Sequence, residues 1–280
     1  MKRNRFDVGK GGQLGNIRAV VRRATRPMVD ILFPPLCLAC HRWTGPAAGF
    51  FCPSCLDGLN SERGEPACPR CAAAVGPYGV TDGRCGRCRN HRLRVDQTIR
   101  VGPYRDPLGA LTCLGTVLRA FKYHDRAELG ETFGIWLAEA VEAASWRDRV
   151  EAVVTVPTHW KHRLVRPLYT PELLTSVVVR TTGLPETPML RRVRAGQHQI
   201  GLSYTARHAN VRDAFAVRRG VKLHQARLLL VDDVKTTGAT LEECARILRA
   251  AGAAEVYAAV AVKVPYATPK GRVMRSIRSG

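Results

Sequence analysis

A chain of 280 residues has room for a catalytic domain and a smaller module, and 45% hydrophobic with 24% charged residues excludes a fibrous or wholly disordered protein. Its 44 Lys and Arg against 23 Asp and Glu leave a net charge of +21, which favours nucleic acid, phosphorylated ligands or acidic surfaces as partners and says nothing of fold, although an arginine-favouring genome would produce part of it. No apolar run reaches membrane-spanning length and no signal-type apolar stretch opens the chain, so a cytoplasmic protein without membrane insertion is expected.

Residues 1–32 form a basic N-terminal segment. After a glycine-containing start, Ile17, Val20, Val21, Ala24, Met28 and Ile31 recur at helical spacing over Leu14–Leu32, with Pro27 as a kink. Arg18, Arg22, Arg23 and Arg26 make a basic face on that helix, either solvated or in contact with an anionic partner.

Residues 33–95 carry eight of the ten cysteines, as four Cys-x-x-Cys pairs: Cys37/Cys40, Cys52/Cys55, Cys68/Cys71 and Cys85/Cys88. The gaps between pairs, 11, 12 and 13 residues, are rich in Gly, Pro and Arg. A Cys-x-x-Cys turn presents two thiolates to one metal, and two turns complete a tetrahedral zinc site. Too few apolar residues accompany the cysteines to build a core without metal. Disulfides would require an oxidising compartment, and a redox-active pair would not recur four times. Two structural Zn²⁺ ions are therefore expected, with consecutive pairs sharing a metal and a cross-braced pairing as the alternative. Four thiolates leave no open catalytic position. Loss of either zinc is expected to loosen this module and leave the remaining domain folded.

Residues 96–267 read as an enzyme domain of alternating strands and helices. Thr98–Tyr104 alternates like a strand, Leu108–Tyr123 and Leu129–Ala144 are amphipathic helices, and Ala152–Val156 is a buried strand. Pro157, Thr158, Lys161 and Arg163 lie in the loop after that strand. A helix follows from Pro171 to Thr181 and stops at Gly183. From Lys161 to Lys222 there are 12 Lys and Arg against three acids, so the surplus charge of this domain concentrates there. Within that stretch Arg207–Val211 reads as a short helix and Phe215–Val217 as a strand. Cys113 and Cys244 sit at apolar helical positions and read as packed residues. Residues 268–280 form a basic tail.

The organising stretch is Leu228–Thr240. Leu228–Val231 is a short apolar run, a buried parallel strand. Asp232 and Asp233 mark its carboxyl end, and Lys235, Thr236, Thr237, Gly238, Ala239 and Thr240 form a small, hydroxylated loop that runs into a helix start near Ala239. Leu241, Cys244, Ala245, Leu248 and Ala251 are that helix's apolar face, Gly252 ends it, and Val256–Val262 is the next strand. In an open parallel sheet the ligand crevice lies at strand carboxyl ends, and a helix N-terminus supplies free N–H groups to an anion. The loop fits a phosphate; the paired acids fit sugar hydroxyls or a metal.

These residues resemble the 5-phosphoribosyl-1-diphosphate (PRPP) signature of type I phosphoribosyltransferases. The ordered set of Phe33-Pro34-Pro35 with cysteine pairs, Phe121-Lys122-Tyr123, Val154–Pro157, Gln197…Arg207…Asn210…Phe215 and Leu228–Thr240 resembles the ComF family, linked to DNA uptake in natural competence. The resemblance implies an α/β fold, a type I phosphoribosyltransferase-like parallel sheet flanked by helices, preceded by a cysteine-rich double zinc ribbon. It implies PRPP bound by Asp232, Asp233, Lys235, Thr236, Thr237, Gly238, Ala239 and Thr240, with the acids holding the ribose hydroxyls and favouring positive charge at C1. Pro157, Thr158, Lys161 and Arg163 would form the pyrophosphate loop, and Mg²⁺ would bind with the diphosphate. The reaction implied is phosphoribosyl transfer to an unknown acceptor, with His159, His162 and His198 as candidate bases. Where the family usually has Arg-Gly-Phe-Asn-Gln, this chain has Arg166-Pro167-Leu168-Tyr169-Thr170, so transfer chemistry is separable from PRPP binding. The alternative is a single-stranded-DNA-handling protein that works with competence helicase machinery, in which PRPP is regulatory or vestigial. A repressor role lacks a helix-turn-helix.

Overall fold

The computed structural model describes residues 34–44, 49–106, 108–123, 127–157, 170–194 and 204–265. The expected helix over 14–32, most of the loop after Pro157, the Gln197–Ser203 stretch and the tail from 268 lie outside them. The chain divides into two compact units with a boundary at Gly58/Leu59.

The smaller unit is built on the first two cysteine pairs. Cys37 N–H donates to Arg42 O at 2.7 Å and His41 N–H donates back to Cys37 O at 2.8 Å, closing a tight knuckle. Helix α1 (Pro53–Arg63) starts directly after Cys52, so Cys55 lies on its first turn. The buried cluster is Cys37, Cys52 and Cys55, with Ala39, Cys40 and Phe51 against it. Cysteine is the core here, as the shortage of apolar residues required.

In the larger unit the second pair of knuckles repeats that geometry. Cys68 N–H donates to Ala73 O and Ala72 N–H to Cys68 O, both at 2.8 Å. Strands β1 (Val80–Thr81) and β2 (Arg84–Cys85) pair antiparallel across Asp82 and Gly83, which both take positive φ, the requirement of a two-residue hairpin. That hairpin delivers Cys85 to the cluster of Cys68, Cys71 and Cys88.

The sheet follows. Strands β3 (Thr98–Pro103), β4 (Ala152–Thr155), β7 (Arg227–Lys235) and β8 (Glu255–Lys263) are all parallel, in the order β3-β8-β7-β4. The central pair is buried on both faces, with Leu228 to Val231 and Val256, Ala258 to Val262 all inaccessible. Each large apolar side chain so buried stabilises the fold by about 1.5–3 kcal/mol. Helices α2 (Cys113–Tyr123), α3 (Ala127–Glu142) and α4 (Thr170–Thr182) complete the larger body of helices, and α3 packs closely along α4. The other face packs Val154, Leu228, Leu230, Val256 and Val260 against Leu241, Cys244, Ala245 and Leu248 of α6 (Ala239–Ala250). A two-stranded antiparallel ribbon, β5 (Leu190–Arg192) with β6 (Phe215–Val217), and the short helix α5 (Tyr204–Val211) lie beside α6.

The expected elements are present, with shifted ends. Helix α2 begins at Cys113 instead of Leu108, because Thr112 Oγ1 accepts from Gly115 N–H at 2.9 Å while Glu62 receives the N–H groups of Cys113 and Leu114. Strand β7 does not stop at Val231. It continues through Asp232 and Asp233 to Lys235, because β8 is equally long and pairs Val234 with Val262 and Lys235 with Lys263. Strand β8 spans Glu255–Lys263, one residue longer at each end than the expected Val256–Val262. Helix α1 between the cysteine pairs and strand β5 were not expected, being short and weakly patterned.

Candidate functional site

The site is the carboxyl end of β7 and the turn into α6. Asp233 N–H donates to Asp232 Oδ1 at 2.8 Å, fixing one carboxylate against the backbone. Asp233 Oδ2 takes an ion pair from Lys122 at 2.5 Å, so the last turn of α2 reaches the acids of β7. Burial first, and the neighbouring Asp233 charge second, raise the Asp232 carboxyl to about 8, against the opposing pull of the Asp233 N–H and Lys122.

The turn runs Thr236-Thr237-Gly238. Gly238 is the N-cap of α6 with φ 87°, a left-handed conformation, and caps with no side-chain hydrogen bond. The first turn of α6 thus points backbone N–H groups outward, while Thr237 Oγ1 accepts from Ala239 N–H at 3.3 Å. Thr236, Thr237 and Thr240 are half-buried, so their hydroxyl-bearing side chains line a surface instead of a core. This combination of N–H groups, hydroxyls and a helix dipole suits a phosphate.

Two lysines lie beneath the turn. Lys235, placed by the sequence with the ligand-binding residues, is only 3% exposed, and its Nζ donates to Thr98 Oγ1 at 2.9 Å. A Cβ on Gly238 would come within 2.9 Å of Lys235 Cε, so glycine is needed for this close approach as well as for its φ. Lys263, 1% exposed, donates from Nζ to Thr236 O at 2.7 Å and Val264 O at 2.5 Å. Burial lowers the pKa of both, with Lys263 brought to about 7 by burial and then by the Lys235 charge.

Pro157 follows β4, whose Thr155 lies opposite Val231, and Val156 N–H donates to Val231 O at 3.0 Å. The chain therefore leaves β4 beside the acid pair. Thr158, Lys161 and Arg163, like His159, His162, His198 and the Arg166–Tyr169 departure, lie outside the described residues. Asp232, Asp233, Thr236, Thr237, Gly238, Ala239 and Thr240 come together as the sequence anticipates. Lys122 and Lys263 received no role from sequence. Their signals were a lysine inside Phe121-Lys122-Tyr123 and a lysine closing an apolar strand in register with Lys235.

The cysteines form two tetrads, Cys37/Cys40/Cys52/Cys55 and Cys68/Cys71/Cys85/Cys88, each with its sulfurs within 4.8 Å of one another. Consecutive pairs therefore share a site. Sulfur separations are 3.7 Å for Cys40–Cys52 and Cys68–Cys88, 3.6 Å for Cys71–Cys85 and 3.8 Å for Cys85–Cys88. A tetrahedron with Zn–S bonds of about 2.3 Å has edges of about 3.8 Å, so both tetrads fit Zn²⁺ as a structural ion.

Comparison with known proteins agrees with this architecture. The double zinc ribbon domain family matches residues 28–89, and the phosphoribosyl transferase domain family matches residues 196–275. Competence protein F of Haemophilus influenzae is 28% identical over 226 residues, 79% of this chain and 93% of its own. The chain is a homologue of competence protein F. DNA utilization protein YhgH of Salmonella typhi is 27% identical over 228 residues, covering 80% of this chain and 94% of its own. Among solved structures, adenine phosphoribosyl transferase from Trypanosoma brucei, in complex with AMP, pyrophosphate and ribose-5-phosphate, is 12% identical with a TM-score of 0.34, over 64% of this chain and 81% of its own. So slight a structural likeness carries no argument; the all-parallel sheet and the two matched domain families establish a phosphoribosyltransferase-like fold behind a double zinc ribbon. Among the described residues no helix is long and apolar enough to cross a membrane.

Proposed function

We propose that the protein binds PRPP at the β7–α6 turn and transfers its phosphoribosyl group to an acceptor. The observation that carries this reading is the juxtaposition of the acid pair Asp232 and Asp233 near a parallel strand's carboxyl end with the helix N-cap Gly238, five residues beyond Asp233. The 5-phosphate would accept from the N–H groups of the first α6 turn and from the threonine hydroxyls. Asp232 and Asp233 would accept from the ribose hydroxyls and favour positive charge developing at C1 as pyrophosphate departs. Lys122, by holding Asp233, orients the pair. The carboxylate and hydroxyl oxygens are hard donors of the kind Mg²⁺ takes, and that ion, bound with the diphosphate, would neutralise leaving-group charge. Pro157, Thr158, Lys161 and Arg163 are the proposed pyrophosphate loop.

Calorimetry with PRPP and Mg²⁺ tests the reading. The double variant Asp232→Asn/Asp233→Asn is expected to bind PRPP more than tenfold more weakly, about 1.4 kcal/mol or more, since it removes the charge-assisted bonds of the pair to the ribose hydroxyls. No binding to the parent at millimolar PRPP, or equal binding by the double variant, removes the assignment.

A second reading, single-stranded DNA as a partner, rests on one surface. Arg191, Arg218 and Arg219 line a concavity of about 480 Å³ beside the β5–β6 ribbon. Arg192 lies over the Phe215 ring at 5.3 Å on the same ribbon. Such a surface suits phosphates of any sequence. Charge reversal at Arg191 and Arg218 is expected to lower single-stranded DNA affinity and flatten its salt dependence together; unchanged affinity would exclude the ribbon.

A further inference from the structure

The second cysteine tetrad is joined to the phosphate loop by a short series of buried contacts. Thr98 N–H donates to Pro69 O at 2.9 Å, tying the start of β3 to the Cys68–Cys71 knuckle. Thr98 Oγ1 then accepts from Lys235 Nζ at 2.9 Å, and the Lys235 stem fills the space under Gly238. Lys235 is paired in register with Lys263, whose Nζ donates to the Thr236 carbonyl inside the loop. The path from cysteine knuckle to loop thus runs through two lysines that are almost wholly enclosed.

We propose that Lys263 is a positioning residue for the Thr236–Gly238 turn, and that the zinc-bound Cys68–Cys71–Cys85–Cys88 centre holds Lys235, its partner in register, through Pro69 and Thr98, so that occupancy of this one centre sets the loop's affinity for a phosphorylated ligand. No such part is proposed for the first tetrad, which lies in the other compact unit. With zinc in place, the lysine fixes the Thr236 carbonyl and leaves the N–H groups of the following turn directed at the ligand. Removing the ion dismantles the knuckle that holds Thr98 through Pro69, and with it the hydrogen bond that holds Lys235 under the turn. The loop then loses its anchor. Binding free energies are linked, so a phosphorylated ligand must strengthen zinc retention at this centre by the factor that zinc strengthens the ligand.

This inference rests on the PRPP reading for the ligand's identity but not for the coupling, which the loop itself reports. The experiment uses the full chain, measuring amide exchange over residues 236–240 and PRPP affinity by calorimetry with Mg²⁺. Cys85→Ser empties the second centre and Cys37→Ser the first, while Lys263→Met keeps both zincs and removes the anchor. Cys85→Ser and Lys263→Met are each expected to speed exchange at 236–240 and weaken PRPP about tenfold. Cys37→Ser is expected to leave both measurements at parent values. Lys263→Arg, which keeps a cationic donor, is expected to restore part of the loop's protection. PRPP should slow zinc transfer to a chelator from the second centre only. Parent-like exchange and affinity in Lys263→Met with both zincs bound would overturn the proposal, as would equal effects from emptying either centre. Should Cys85→Ser fail to fold, the Lys263 variants decide. Should the parent bind no PRPP, the ligand assignment falls, and loop exchange in Lys263→Met still judges the coupling.

Discussion

Asp232 shows how one residue's surroundings set both its chemistry and the protein's response to pH. An aspartate in the unfolded chain releases its proton near pH 4, whereas folded Asp232 holds its proton to about 8. Between those values the folded state binds more protons than the unfolded state, so this residue's contribution to stability is greatest below about pH 4 and declines as pH rises to 8. Asp232→Asn removes that titration. Urea denaturation of parent and variant across pH 5 to 8 should show a decline in the parent that is shallower in Asp232→Asn; equal slopes would mean the carboxyl ionises normally. The adjacent Asp233 and Lys122 decide how far the effect extends, because the three charges share one site.

At the scale of elements, the approach of α3 to α4 depends on missing side chains. A Cβ at Gly134 would lie 2.4 Å from Val177 Cβ, and one at Gly130 would lie 2.3 Å from Leu173 Cδ2. Both neighbours belong to α4, so these glycines let the two helices touch. Glycine weakens an isolated helix by about 1 kcal/mol relative to alanine, so its presence here is a packing requirement. Gly134→Ala is accordingly expected to destabilise the protein by about 1–3 kcal/mol despite its better helix propensity. A denaturation midpoint at or above the parent's would show that the helices can part without loss. Gly252 serves the end of α6 in a different way: its φ of 105° excludes most side chains, and a Cβ would lie 2.1 Å from Leu223 O. That turn sets where β8 begins, and hence the register that brings Lys263 beside Lys235.

For the whole molecule, the two zinc tetrads are equivalent in chemistry and different in setting. Purified protein is expected to contain about two zincs per chain, one for each set of four thiolates. The sequence suggested that losing either would spare the sheet domain. The contacts of the second tetrad change that expectation. Arg70 Nη2 donates to Leu93 O at 2.7 Å, Thr98 N–H donates to Pro69 O, and Arg100 pairs with Glu65 at 2.5 Å, so this ribbon is built into the larger unit. Cys37→Ser should therefore lose one zinc and leave the melting of the larger unit unchanged, while Cys85→Ser should lose one zinc and lower that melting temperature. Metal analysis with calorimetric melting checks both, and identical melting of the two variants would restore the simpler expectation.

The sequence by itself determined the chemistry of the parts. Eight cysteines in four pairs have one economical use without an apolar core, and the tetrads confirm the pairing of neighbours. Leu228–Val231, Asp232, Asp233 and Gly238 specify a buried strand, an acid pair and a loop that runs into a helix start from local rules alone, because each depends on near neighbours in the chain. Tertiary structure decided what distant residues do to those parts. Strand β7 runs past its apolar run only because β8 offers a partner as far as Lys263. Lys235 reads as a loop residue in sequence, yet pairing carries its ammonium inward to Thr98, across 137 residues of chain. Lys122 meets Asp233 only once α2 is in place, and Glu62 caps α2 from 51 residues away. Periodicity and spacing describe a residue's own element; the burial of a charge, and the partner that makes burial tolerable, come from elements that meet only when the chain is folded.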